Sequence, residues 1–238
     1  MYQTVFQRYE LKYLITHAQK ERVLSRIIQY TVPDSYGRSV IRNIYFDTDN
    51  YRLIRRSLER PAYKEKLRLR SYCLATAESR VFAELKKKYR SVVYKRRVPL
   101  CEQDGISWLV DGKAPPVRSQ ITDEIDYFVS YYGPVRPAMF LSYRREAFYS
   151  VSDRNLRITF DDNIVCNSED LSLEHEVTGH SLLRDGYVLM EIKCAGSVPL
   201  WLASLLSEEK IYKTSFSKYG TAYQTLILPT LKENKIYD

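Results

Sequence analysis

Along most of the chain, polar and apolar residues alternate one by one, the period of a strand with one face buried. Such segments run over Val5–Tyr13, Ser39–Phe46, Tyr63–Cys73, Arg80–Lys88, Val92–Pro99, Ala138–Ser150, Leu156–Asp161 and Tyr187–Cys194. Helical spacing interrupts the alternation. Thr16-His17-Ala18-Gln19 has the form of a capping box, and Val23, Leu24, Ile27 and Ile28 follow on one face. A second helix is predicted from Ser119 to Tyr132 on Ile121, Ile125, Phe128 and Val129, ending at Gly133-Pro134. A third begins near Pro199, a favoured first-turn residue, and carries Trp201, Leu202, Leu205 and Leu206. The last is predicted to start near Ser217 and to stop before Pro229. Many antiparallel strands with a few peripheral helices predict an α+β fold built on a large sheet or barrel. No Gly-, Ser- or Pro-rich tract and no repeat marks a boundary, so residues 1–238 are expected to form a single domain.

The polar positions of these strands are charged. Lys66, Arg68 and Arg70 alternate with Leu67 and Leu69, and Glu84, Lys86 and Lys88 share a face of the next strand. Lys95 and Arg97 share another, Arg8, Glu10 and Lys12 alternate with Tyr9 and Leu11, and Glu191 and Lys193 alternate with Met190 and Ile192. On any single strand this is an ordinary solvated face. Solvated faces, however, mix Thr, Ser and Gln with Lys, whereas here Arg and Lys recur on strand after strand. Two unit charges about 6 Å apart repel by roughly 2–3 kcal/mol at an effective dielectric near 20. If the charged faces converge on one concave surface, an anionic ligand is required to offset them.

Composition narrows the choice of anion. Lys and Arg number 37 against 29 Asp and Glu, a net charge of +8. A hydrophobic fraction of 45% with only 8 Gly and 9 Pro excludes a disordered polycation and a fibrous protein. No apolar run approaches the ~20 residues needed to span a bilayer, and MYQTVFQRYELKY is too polar for a signal peptide. Cys73, Cys101, Cys166 and Cys194 lie far apart without a CxxC pair, which points to reduced thiols in the cytoplasm. His17, His175 and His180 are too scattered for a His-rich metal site. The 21 tyrosines reflect either strand preference or hydroxyl donors in a polar cavity. No helix-turn-helix, zinc-finger or RRM pattern supports specific nucleic-acid binding. A Gly-rich phosphate loop is also absent, so any phosphate is bound by side chains. A polar-lined barrel holding a compact polyanion, with glutamate binding a divalent metal, accounts for both signs of charge.

Several motifs, in order, resemble a known family. They are Arg8-Tyr-Glu-Leu-Lys-Tyr13, Ile44-Tyr-Phe-Asp-Thr48, Lys66-Leu-Arg-Leu-Arg70, Glu84-Leu-Lys86 and Tyr94-Lys-Arg-Arg97, then Tyr143-Arg-Arg-Glu-Ala-Phe148, Arg157-Ile-Thr-Phe-Asp-Asp162, Glu191-Ile-Lys193 and Ser217-Lys218. From about Phe6 to Leu228 the chain is similar to the VTC domain, a polyphosphate polymerase domain of the triphosphate tunnel metalloenzymes. The resemblance implies a closed antiparallel β-barrel whose bore is lined by basic side chains, with Leu67, Leu69, Ile158, Phe160 and Ile192 facing outer helices. It implies catalytic roles for Lys12, Arg68, Arg70, Arg145, Arg157 and Lys218, and substrate contacts from Lys66, Lys86, Lys95, Tyr143, Lys193 and Ser217. Glu191 matches the glutamate that binds Mn²⁺ or Mg²⁺, and alternatively pairs with a tunnel lysine. Glu10 and Glu84 are expected as ion-pair partners, Asp47 and Asp49 as turn residues, and Ser217 as a helix cap or a phosphate contact. Cyclase and thiamine-triphosphatase relatives open with Glu-x-Glu-x-Lys; here Arg8 stands at the first acidic position, which favours the polymerase type. The regulatory domain and membrane helices joined to this domain in the fungal complex have no counterpart in these residues, so threading of a polymer through a membrane by this chain is not expected.

The activity so implied is transfer of the ATP γ-phosphate to a polyphosphate chain, with no general base because the nucleophile is already anionic. Hydrolysis of tripolyphosphate or a nucleoside triphosphate, and non-catalytic polyphosphate binding, remain the alternatives.

Overall fold

The alternating segments join one antiparallel sheet. The computed structural model describes residues 9–90 and 92–234. Its strands are β1 (Tyr9–Thr16), β2 (Thr31–Pro33), β3 (Ser39–Thr48), β4 (Tyr63–Ser71), β5 (Arg80–Tyr89), β6 (Val92–Cys101), β7 (Val135–Ser150), β8 (Arg157–Asn167), β9 (His180–Ser181), β10 (Tyr187–Cys194) and β11 (Lys213–Thr214). Hydrogen bonding runs in the order β11-β1-β10-β8-β7-β3-β4-β5-β6, with β2 added to β7 and β9 to β8. The first strand runs on to Thr16, past its predicted end at Tyr13, and Val5–Arg8 lie outside the described residues. β8 runs on to Asn167, past the predicted end at Asp161.

A closed barrel is not formed. Among the described residues β6 and β11 are the two ends of an open path. β11 is only two residues long, and Ser217 already caps the next helix, so no strand among the described residues bridges the gap. Side chains cross it instead: Lys86 Nζ on β5 donates to Glu10 on β1 at 2.8 Å, and Lys66 Nζ on β4 donates to Ser217 Oγ at 3.0 Å.

Helices cover the apolar strand faces. α1 (His17–Ile27) starts with the predicted capping box, Thr16 and Gln19 exchanging side-chain and backbone bonds. Together with α5 (Leu200–Glu208) it buries Ile15, Ile158, Phe160 and Ile192 against Val23 and Leu202. α3 (Glu102–Leu109) and α4 (Gln120–Tyr132) bury Leu67, Leu69 and Leu85 against Trp108, Ile125 and Phe128. α3 has no strong sequence signal because Gly105 interrupts it; a side chain there would sit 3.0 Å from Leu69 Cδ1. The last helix does not stop before Pro229. α6 (Lys218–Ala222) passes through a π-helical turn (Tyr223–Ile227) into α7 (Leu228–Asn234). The π-helical turn precedes Pro229: the Leu228 N–H reaches back to the Tyr223 carbonyl, and Pro229 follows as the second residue of α7, where it cannot donate the next bond. Tyr219, Tyr223 and Ile227 of this segment pack on Tyr45, Leu141 and Leu189 of the sheet. None of the helices among the described residues is long and apolar enough to cross a membrane.

α2 (Arg52–Leu58) is anchored by Asp47, which accepts the backbone N–H groups of Thr48, Leu53 and Ile54 at 2.9–3.0 Å and the Tyr219 hydroxyl at 2.9 Å. This buried carboxylate ties β3, α2 and α6 together. Asp47→Ala leaves several buried donors unsatisfied and is expected to cost roughly 2–4 kcal/mol in urea unfolding, with Asp47→Asn costing less. A loss below about 0.5 kcal/mol, the scale of an ordinary surface substitution, contradicts this anchoring role.

Candidate functional site

Side chains of one parity on β1, β4, β5, β6, β8 and β10, with Tyr143 and Arg145 of β7, meet on the inner face of the sheet, the bore, while Glu65, Lys87 and Arg96 pair toward α4 and Glu146 toward α1 on the outer face. Three groups of contacts organise the bore. The first centres on Glu191 of β10, whose carboxylate lies 3.1 Å from Lys193, 3.4 Å from Arg145, 3.4 Å from Lys218 and 3.5 Å from Lys12. Asp161 of β8 shares two of these partners. It receives Arg145 in a fork at 2.5 and 2.6 Å and Lys218 at 2.5 Å. The second centres on Glu84 of β5, which holds Arg68 at 2.6 Å, Arg70 at 3.8 Å and Lys95. The third is Lys86 with Glu10.

Neutral groups link these clusters. The Arg70 guanidinium donates to Asn43 Oδ1 at 2.8 Å and to the Tyr143 hydroxyl at 3.0 Å. Lys218 Nζ stands 4.5 Å, and the Arg145 guanidinium 5.1 Å, from the Tyr143 ring centre. Arg68 donates to the Tyr45 hydroxyl at 2.9 Å. Ser217 Oγ accepts the Gly220 N–H as a helix cap and also accepts from Lys66 Nζ.

Burial and charge set the protonation of the bore. Burial alone raises the Glu191 carboxyl, yet Lys218, Lys193, Lys12 and Arg145 together hold it well below the usual range. Glu84 is likewise held well below, Arg70, Arg68 and Lys95 overcoming its burial. Lys66 has no carboxylate within ion-pair distance among the described residues. Burial, then Lys12, Lys86, Lys64 and Arg68, push its ammonium down to about 7. Burial also takes Lys95 down to about 7 in spite of Glu84, and Lys193 to about 8 in spite of Glu191. Burial favours the neutral Tyr143 hydroxyl, but Arg70, Arg145 and Lys218 pull it below the usual tyrosine value.

Arg157 stands apart from the carboxylate clusters. It pairs with Asp34 at 3.0 Å and stacks over Tyr149 at 4.8 Å. Its Nε and the Thr159 hydroxyl, of the same parity on β8, are buried without a hydrogen-bond partner. Arg8 lies outside the described residues. Asp49 pairs with Arg136 at an exposed turn. The motif reading assigns no site role to three bore residues. Asp161 shares the parity of Arg157 and Thr159, which marks it for the bore; Asn43 and Tyr45 sit on a strand whose carboxylate of the same parity, Asp47, is spent on the α2 backbone.

Among the described residues no group of three or more His, Cys, Asp and Glu converges, so a protein-only metal cage is absent there. Asp161 and Glu191 are hard oxygen donors, and Glu191 is kept ionised. That pair fits a divalent cation whose remaining ligands are phosphate oxygens.

The profile of the VTC domain matches residues 7–227. A search of curated proteins finds no significant match. Among solved structures, a putative adenylate cyclase from Bacillus halodurans is 16% identical, covers 94% of this chain and 100% of its own, and superposes with a TM-score of 0.57. A putative adenylyl cyclase from Hippeastrum, described as having a dominant triphosphatase activity, is 16% identical over 93% of this chain and 98% of its own, with a TM-score of 0.55. At such identity the likeness to both neighbours establishes the fold alone.

The depressed bore lysines make stability depend on pH. From about pH 7 up to the ordinary lysine value of 10.5, Lys66 and Lys95 hold fewer protons in the folded chain than in the unfolded one. The destabilisation is therefore full below pH 7 and relieved as pH rises through that window. The ligand-free protein is expected to show a higher urea midpoint at pH 9 than at pH 7, and Lys66→Met with Lys95→Met to flatten the difference. A wild-type midpoint that does not rise contradicts the assignment.

Proposed function

The chain belongs to the VTC domain family, and on that premise we propose that its basic bore is a phosphoryl-transfer site acting on triphosphate and polyphosphate. The reading rests on one observation: the charged faces of seven strands meet in a single bore whose cations exceed the carboxylates available to pair them. In the polymerase reading, residues 1–238 act as one tunnel domain. ATP presents its γ-phosphate in the bore, and the terminal oxygen of a polyphosphate chain attacks it as ADP leaves.

The nucleophile carries its own negative charge, so the chain has to supply position and neutralisation rather than a base. The forks of Arg68, Arg70 and Arg145 suit planar phosphate oxygens, and Lys12 and Lys218 add point charge. Arg157 waits at the rim with an unpaired Nε. Lys66, Lys86, Lys95, Lys193, Tyr143 and Ser217 orient the rest of the polyanion. Glu191, with Asp161 beside it, would hold Mn²⁺ or Mg²⁺ together with substrate oxygens; such an ion supplies charge neutralisation and Lewis-acid polarisation when bound. The free thiols of Cys73, Cys101, Cys166 and Cys194 suit a reducing, cytoplasmic setting. Hydrolysis is the second reading. The side chains of Lys86 and Lys95 remain 36% and 31% exposed, so water reaches the bore and competes with the chain end.

Incubation with ATP and Mn²⁺, with products resolved by size, separates the two readings: a ladder of polyphosphate marks the polymerase, orthophosphate alone the hydrolase. Arg70→Lys keeps the charge but loses the fork, and is expected to lower turnover by about 10²-fold. A protein that converts neither ATP nor tripolyphosphate with Mn²⁺ or Mg²⁺ contradicts the catalytic proposal.

A further inference from the structure

The bore is not uniform along its length. Toward one mouth, lysines face lysines directly across the strand pairs: Lys64 opposite Lys88, Lys66 opposite Lys86, and Lys86 opposite Lys95. Like charges in such register are destabilising. The carboxylates Glu84, Glu191 and Asp161 serve the deeper arginines and Lys218, and none lies within ion-pair distance of Lys64 or Lys88 among the described residues. Lys64 Nζ is bonded to the Ser57 carbonyl at 3.0 Å. Burial, then Lys88, lowers the Lys64 ammonium below the usual lysine value, and burial, then Lys86, lowers that of Lys88 although Glu10 opposes it.

The row Lys64, Lys66, Arg68, Arg70 runs along a single extended strand. At about 3.3–3.4 Å per residue it covers ~20 Å, more than three linked phosphoryl groups can span. A compact triphosphate held by Arg68, Arg70 and the Glu191 cluster leaves Lys64 and Lys88 without an ion-pair partner, whereas a linear chain passes between them. We infer that Lys64 and Lys88 form an outer subsite for the extended part of a linear polyanion, beyond the region filled by a triphosphate. This rests on the phosphate reading of the bore. It makes the Lys64–Lys88 mouth the opening through which a long chain leaves, and it sets the preference for chain length.

Calorimetric titration of wild type and Lys64→Gln/Lys88→Gln with tripolyphosphate and with size-selected long-chain polyphosphate tests the subsite. The double variant is expected to bind the long chain about tenfold more weakly with a reduced salt dependence, while tripolyphosphate affinity changes by less than about twofold. Its ligand-free melting temperature should equal or exceed that of wild type, since a repulsive pair is gone. Should the double variant fail to fold, Lys88→Gln alone is expected to show the same selective loss in smaller measure. Equal losses for both anions, or no loss for either, overturn the subsite while leaving the phosphate reading intact. A wild-type protein that binds neither anion overturns both.

Discussion

Repulsion among the bore cations is the constraint on which the rest of this structure depends. Lys12, Arg145, Lys193 and Lys218 gather around one carboxylate, Glu191, and Arg68, Arg70 and Lys95 around another, Glu84. Sharing a carboxylate among several cations is enough to keep the folded chain together and too little to satisfy it. Lys66 shows the shortfall most clearly, since burial among other cations leaves it near the point of losing its proton. A site in that condition gains more from a multivalent anion than from any rearrangement of its own side chains.

The fold meets this constraint through strand alternation. Each charged residue is flanked by apolar neighbours that point the opposite way, so the charges can be concentrated inside while Leu67, Leu69, Ile158, Phe160 and Ile192 bind the sheet to its helices. The hydrophobic layers outside stabilise a polar interior that would not hold together alone. Leaving the sheet open between β6 and β11 has a matching logic. The seam is crossed by the Lys86–Glu10 pair and the Lys66–Ser217 bond, contacts that an incoming anion can rearrange without breaking a backbone ladder.

Much of this was legible in the sequence because it depends on period-two patterning. The strands from β3 to β6 and β10, the convergence of Arg68, Arg70, Arg145, Lys193 and Lys218, and the pairing roles of Glu10 and Glu84 follow from parity and motif. What escaped depends on long-range geometry. The open seam reflects how far β11 extends, and no local signal fixes that. α2 is held by Asp47 from a preceding strand and enters through Tyr51 with a left-handed φ of 57°, which local propensity does not favour. The continuation past Pro229 depends on a π-helical turn, and Arg157 is drawn to the rim by Asp34, a loop residue with no periodic context.

The account is tested most directly by the thermal stability of the protein with tripolyphosphate, compared at equal ionic strength with potassium chloride. A ligand bound only by the folded chain stabilises it by about 2.7 kcal/mol at a hundred times its dissociation constant. Convergent, under-neutralised cations predict a melting temperature that climbs with the logarithm of tripolyphosphate concentration and far exceeds the salt control. A melting temperature that moves no further with tripolyphosphate than with chloride would contradict the central claim.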